Sequence, residues 1–266
     1  MSWHDPLLEE LGIGPLWVSR TAAPAEPVPS AAIPAAAVPV PARVAAAAPH
    51  TRAADVPRAP DVPRAASLMR APGAVDESVQ SLTWEALEQR VSACTLCTLC
   101  ERRTQTVFGV GDRNADWMLI GEAPGENEDK QGEPFVGPAG KLLDNMLQSL
   151  ALQRGRDVYI ANVLKCRPPG NRNPEPEEVE RCAPYLQRQV ALVRPKLIVA
   201  MGRFAAQSLL KTTASIASLR GRLHEYENVP VIVTYHPAYL LRSLPDKAKA
   251  WTDLCLAKST YDKLKS

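Results

Sequence analysis

A chain of 266 residues, 45% of them hydrophobic, has surface enough to bury one large core or two small ones. Its net charge of +2 is near neutral, and residues 1–80 carry six Arg and eight acids, leaving about +4 downstream: compatible with nucleic acid, not diagnostic of it. Six cysteines without a signal-peptide h-region argue against a disulfide scaffold and for a reducing cytosol, and no run approaches the roughly 18 apolar residues of a membrane span.

Residues 1–20 hold a short apolar pattern (Leu7, Leu8, Leu11, Ile13, Leu16, Trp17, Val18) too brief to fold alone, which reads either as a peptide that docks on a protein partner or on its own core, or as an N-terminal helix with no separate role. From Thr21 to Gly73 the chain becomes Ala, Pro, Val and Arg, with 11 of its 25 prolines, and a linker is expected over 21–80. Order is expected from Ser81 onward, as a single domain over 81–266.

Thr83 can cap a helix through Val91, with Glu85 near its positive end. Strands are predicted at Trp117–Gly121, Asp157–Leu164, Lys196–Met201 and Val229–Thr234, and helices at Ala139–Leu152, Glu175–Val193 and from Gly202 through Leu210. Cys255 falls in a C-terminal helix and is expected to pack. Strands alternating with helices define an α/β fold, a three-layer α/β/α sandwich with a central, mainly parallel four-stranded sheet. Ligand crevices in such sheets lie beyond the carboxyl ends of the strands, where the Gly121, Asn162 and His236 loops begin. The stretch Gly121–Gly140 is too long and too polar for an idle connection, so it is expected to carry chemistry.

Cys94 and Cys97 form a C-x2-C pair, and Cys166 and Cys182 have fifteen residues between them, a proline-rich loop included. Four thiols in this pattern suit zinc or an iron–sulfur cluster, and spacing does not choose between them; Cys100 is a rival ligand.

The motifs Gly121-Glu-Ala-Pro-Gly-Glu-Asn-Glu128, Pro134-Phe-Val-Gly137, Ala139-Gly-Lys-Leu-Leu143, Asn162-Val-Leu-Lys-Cys-Arg-Pro-Pro169 and His236-Pro-Ala-Tyr-Leu-Leu-Arg242 closely resemble the family 4 (iron–sulfur) uracil-DNA glycosylases, over about Leu82–Lys258. The resemblance implies that fold, a structural 4Fe-4S cluster on Cys94, Cys97, Cys166 and Cys182, and hydrolysis of the N-glycosidic bond of deoxyuridine in single- or double-stranded DNA; a cytoplasmic monomer is expected. An iron–sulfur module, DNA-binding or polymerase-associated, that recognises uracil without turnover is the alternative.

Under this reading His236 donates to uracil O2 and stabilises the departing anion, Asn162 pairs with O4 and N3–H, and Phe135 stacks on the ring. Glu122 or Glu128 positions water or stabilises the sugar cation, with Asp129 a third candidate. The family 1 enzymes have aspartate at the position of Ala123 and tyrosine at that of Gly125, so these two substrate-side positions leave the water-activating acid and the thymine filter open. Leu240 is expected to wedge into the DNA and Arg242 to meet the backbone, while Lys165, Arg167 and Arg172 form a phosphate-facing strip.

Overall fold

The computed structural model describes residues 77–265; the N-terminal peptide and nearly all of the expected linker lie outside the described residues. Packing begins with helix α1 (Glu77–Gln80), whose Val79 is buried beside Leu87, Val91 and Tyr185, so the folded unit reaches a few residues ahead of Ser81. Helix α2 (Trp84–Ser92) starts where expected: the Thr83 hydroxyl accepts from Ala86 N, Glu85 sits in the first turn, and such a cap contributes about 1 kcal/mol.

Strands β1 (Val110–Gly111), β2 (Trp117–Gly121), β3 (Val158–Asn162), β4 (Leu197–Met201), β5 (Leu223–Tyr226) and β6 (Val229–Thr234) form one sheet in the order β1-β3-β2-β4-β6-β5. The four inner strands are the expected ones and run parallel. The sheet is larger and mixed, because β1 and β5 add antiparallel edges. Neither edge gives a strong sequence signal: β1 has two residues, and β5 (Leu-His-Glu-Tyr) alternates with only Tyr226 buried.

All residues of β2, β3 and β4 are buried, as continuous apolar runs require when helices cover both faces. The period-2 alternation of side chains splits them between two cores. Met118, Ile120, Ala161, Ile198, Ala200 and Val233 face helices α5 (Pro176–Val193), α6 (Arg203–Leu210) and the short α7 (Ile216–Leu219). Trp117, Leu119, Ile160, Val199 and Ile232 face helices α4 (Pro138–Gln148) and α9 (Asp246–Lys265), through Leu143, Leu147, Leu254 and Tyr261. Each fully buried Leu, Ile or Met contributes about 1.5–3 kcal/mol. Cys255, expected to pack on α9, is instead exposed.

Helix α4 begins at Pro138 and ends at Gln148, four residues short of the expected Leu152, because Ala151 turns left-handed with φ +58°. Its start governs the neighbouring loop. A Cβ on Gly140 would lie 1.7 Å from the Phe135 carbonyl oxygen, so only glycine lets the helix approach that backbone. Gly140→Ala is expected to destabilise the fold by about 1–3 kcal/mol through overpacking, read as a lower denaturant midpoint at unchanged slope.

Candidate active site

The crevice is built at the carboxyl ends of the parallel strands. Gly121 closes β2 and pairs in register with Asn162, which closes β3; Gly202 follows β4 and His236 follows β6. A Cβ on Gly121 would stand 2.4 Å from Asn162 Oδ1 and 2.7 Å from Phe135 Cζ, so the glycine leaves room for both side chains against the strand end. Asn162 is buried at 2% exposure, and its Oδ1 has no hydrogen-bond partner. A buried acceptor left unpaired costs about 1–3 kcal/mol, a cost that a ligand donor would remove.

Phe135 is held in an unusual conformation, with φ +57°. Arg154, which sequence reasoning missed, fixes it: Nη2 donates to Phe135 O and Nη1 to Pro134 O, each at 3.0 Å, while Nε pairs with Asp144 on α4 at 2.7 Å. The Phe135 ring stacks on the imidazole of His236, centroids 5.4 Å apart and planes inclined by 28°.

His236 caps helix α8 (Pro237–Leu240), its Nδ1 accepting from Ala238 N at 3.1 Å. That bond puts the ring proton of the neutral form on Nε2. Burial pushes the imidazole pKa down to about 4, Glu128 drawing it up and Arg242 pushing it further down, though the residue keeps an edge open to solvent. Close packing at its base needs Gly202, where φ is +94° and a Cβ would meet His236 Cβ at 2.9 Å.

The three acids part company. Asp129 is 3% exposed and both its oxygens accept from Thr104 N, at 3.0 and 3.1 Å, which commits it to anchoring helix α3 (Glu126–Gln131). Glu128 accepts through Oε1 from Val136 N at 3.0 Å and Gly137 N at 3.3 Å, while its Oε2 lies 2.6 Å from where a Cβ on Gly125 would be. The Glu122 carboxyl is left without a hydrogen bond among the described residues, although its backbone carbonyl accepts from Leu164 N at 3.0 Å. Burial raises its pKa to about 7 against the opposing charge of Arg203, an exposed residue at the start of α6. The position of Arg203 just after β4 was the available sequence signal for a crevice residue. Ala123 packs against Leu99, Leu164 and Cys166, facing the cysteines.

Two DNA-side expectations are corrected. Leu240 is 1% exposed, held inside α8, and the exposed apolar groups of this rim are Tyr239, Leu241 and Leu244. Lys165 is equally buried and cannot face phosphate. The remaining members of the strip have partners: Arg172 pairs with Glu178, and Arg167 bonds Asn171 at 2.7 Å and reaches Glu126 at 3.5 Å. Arg242 is exposed.

Cys94, Cys97, Cys100, Cys166 and Cys182 line one recess under Leu99 and Leu164. Burial raises the thiols of Cys97 and Cys166, and that of Cys182 to about 12. Donors already face two sulfurs: Arg103 Nη1 lies 3.1 Å from Cys166 Sγ, and Lys165 N lies 3.3 Å from Cys182 Sγ. Among the described residues no three His, Cys, Asp or Glu converge tightly enough for a single metal ion. The donor set, all sulfur with N–H groups beside it, fits a thiolate-ligated cluster.

Fold and site together define an α/β domain whose crevice, at the carboxyl ends of parallel strands, brings together an unpaired buried amide oxygen, an aromatic ring and an oriented imidazole. Residues 108–257 match the family model described as the uracil DNA glycosylase superfamily. The type-4 uracil-DNA glycosylase of Archaeoglobus fulgidus is 49% identical over 161 residues, 58% of this chain and 80% of the relative. Those of Sulfurisphaera tokodaii and Thermotoga maritima are 45% and 44% identical, over 59% and 60% of this chain and 75% and 83% of their own lengths. The chain belongs to the uracil-DNA glycosylase superfamily, in its type-4 group.

The cysteine recess is tested optically. Anaerobically purified protein is expected to be yellow-brown with a broad band near about 400 nm; Cys94→Ser should lose most of that band, and a colourless protein carrying one zinc would contradict the cluster.

Proposed function

We infer that this protein excises uracil from DNA, hydrolysing the N-glycosidic bond of deoxyuridine to release the base and leave an abasic site at which base-excision repair begins. The observation that carries the reading is the buried, unpartnered Asn162 Oδ1 beside the Phe135 plate and the His236 edge, in a chain of this family.

The uracil leaves the helical stack, at a cost of a few kcal/mol that is smallest in single strands and mispairs. Phe135 receives its face. Asn162 Oδ1 accepts from uracil N3–H and its amide NH2 donates to O4; cytosine, with a bare N3 and an amino group at C4, would leave both unpaired. The Glu128 carboxylate, filling the space beside Gly125, supplies the bulk against a thymine methyl that a tyrosine supplies in family 1.

Bond breaking places negative charge on uracil and positive charge on the sugar. His236 meets the first with an Nε2–H that the Ala238 bond orients in advance, donating without transferring its proton. Glu122 meets the second: as a carboxylate at the strand end it stabilises the oxocarbenium-like sugar and orients the attacking water. Glu128, engaged by Val136 N and Gly137 N, positions the loop. Arg242 and Arg203 hold backbone phosphates, and the exposed Leu241 takes the wedge role expected of Leu240.

Cys94, Cys97, Cys166 and Cys182 would hold a 4Fe-4S cluster, which would supply a structural cross-link between the two cysteine segments and no step of the reaction. The all-sulfur donor set, with Arg103 Nη1 beside Cys166 Sγ and the Lys165 N–H beside Cys182 Sγ, supports this reading. The protein acts as a monomer in a reducing cytosol, where the thiols stay available; among the described residues no helix is long and apolar enough to cross a membrane.

His236→Ala and Asn162→Ala are each expected to lower single-turnover uracil release by about 10²–10³-fold, with binding of uracil-free DNA retained. Full activity in both would overturn the assignment, and uracil-specific binding by the parent protein without alkali-labile sites would favour a non-catalytic reader. The pH profile separates the two titrating groups. Between pH 5 and 8 His236 stays neutral and contributes no limb, whereas the rate should rise through about pH 7 as Glu122 ionises and level off above. Glu122→Gln should be slow and flat.

The stability sign is opposite to that of the rate. The Glu122 pKa of about 7 lies above its unfolded value, so the native state binds more protons between about pH 4.5 and 7 and stability falls as pH rises through that window. Glu122→Gln should remove that fall in denaturant titrations.

A further inference from the structure

The chemistry above leaves one buried cation unused. Lys165 sits between Leu164 and the cluster ligand Cys166, 1% exposed. Its Nζ donates to the backbone carbonyl of Asn162 at 2.7 Å and to Gln189 Oε1 at 2.6 Å. Gln189 is itself fully buried on α5, and its Nε2 donates to Phe108 O at 2.9 Å and to the Tyr159 hydroxyl at 3.3 Å. The backbone N–H of Lys165 meanwhile faces Cys182 Sγ at 3.3 Å. One residue thus grips the end of β3 with its side chain and a cluster ligand with its main chain.

Asn162 O belongs to the last residue of β3, and an amine capping it fixes the peptide from which the Asn162 side chain springs. Both Nζ contacts are to neutral oxygens, and the residue itself lies between Cys166, its neighbour in the chain, and Cys182, whose Sγ faces its N–H. A buried ammonium needs a counter-charge, and thiolates that carry a cluster supply one.

We propose that Lys165 is a positioning residue that couples the cysteine centre to the uracil pocket, the liganded sulfurs holding its ammonium in place and the ammonium fixing the Asn162 carbonyl and hence the reading amide. The proposal rests on the assignment of Asn162 as the uracil reader. Coupling between two binding sites is reciprocal in free energy, so bound uracil must also stabilise the cluster-bound state, and slower cluster loss is the expected readout of that stabilisation.

The test uses the full chain in its iron-loaded form, with free uracil as the probe. Three quantities are measured for the parent protein, Lys165→Met and Gln189→Met: inhibition by free uracil, the dissociation constant for uracil-free single-stranded DNA, and the rate at which a chelator bleaches the cluster band with and without saturating uracil. Lys165→Met, at parent absorbance per chain, is expected to weaken uracil inhibition by roughly tenfold or more, the size of one lost charge-assisted hydrogen bond. Binding of uracil-free DNA should stay within about twofold, since phosphate contacts are untouched. Uracil should slow bleaching in the parent protein and not in the variant.

A lysine that only supports the fold would lower thermal stability but leave uracil inhibition and the uracil dependence of bleaching as in the parent; either result overturns the proposal. If Lys165→Met does not accumulate as iron-loaded protein, Gln189→Met decides, because it keeps the charge and removes one of the two groups that aim it. Weaker uracil inhibition with unchanged DNA binding there supports the coupling, and parent-like inhibition overturns it. A parent protein that releases no uracil would overturn the proposed function and this inference with it, whereas parent release with unchanged variants overturns the inference alone.

Discussion

Strand β2 ends in glycine where strand β3 ends in asparagine, and this parallel pairing sets the dimensions of the pocket. Any side chain at Gly121 would collide with both the Asn162 amide and the Phe135 ring, so hydrogen-bonding edge and stacking plate share the volume that a missing Cβ releases. The register follows from the two cores: a one-residue slip would exchange their members, sending Leu119 and Ile160 to the α5 side and the differently shaped Met118 and Tyr159 to the α4 side. Hydrophobic packing of the sheet therefore fixes, to within one peptide, where the reading amide stands. Two further glycines extend the same logic, Gly140 admitting the Phe135 backbone and Gly202 admitting the base of His236.

Desolvation tunes the chemistry in opposite directions a short distance apart. It keeps the imidazole neutral, as a donor that need not lose its proton, and it holds the Glu122 carboxyl near the point where it ionises at physiological pH. The nearby charges trim these effects without reversing them: Glu128 acts on His236, and Arg203 acts on Glu122. Glu128 and Asp129 could not be distinguished from Glu122 by composition, because what separates the three is which backbone N–H groups reach them: Val136 and Gly137 in one case, Thr104 in another.

The four inner strands were legible as apolar runs, and the convergence of Gly121, Asn162 and His236 followed from the rule that parallel sheets bind ligands at their carboxyl ends. What sequence could not show was set by distant partners. Lys165 reads as a surface charge until Asn162 O and Gln189 are seen to enclose it. Leu240 and Leu241 are equivalent apolar neighbours in sequence, and only the one-turn helix α8 decides that the first is buried and the second exposed. Arg154 lies 19 residues from the carbonyl it grips, beyond the range of any local pattern. The edge strands were too short or too exposed to signal themselves.

The grip of Arg154 bears on how damage is found. A phenylalanine in a left-handed conformation, clamped through its own carbonyl and its neighbour's to a guanidinium anchored on α4, is furniture of the sheet edge and not a lid. Under the proposed function, the plate that meets an extruded base is therefore arranged by the fold before any nucleic acid arrives, so no binding energy is spent on arranging it.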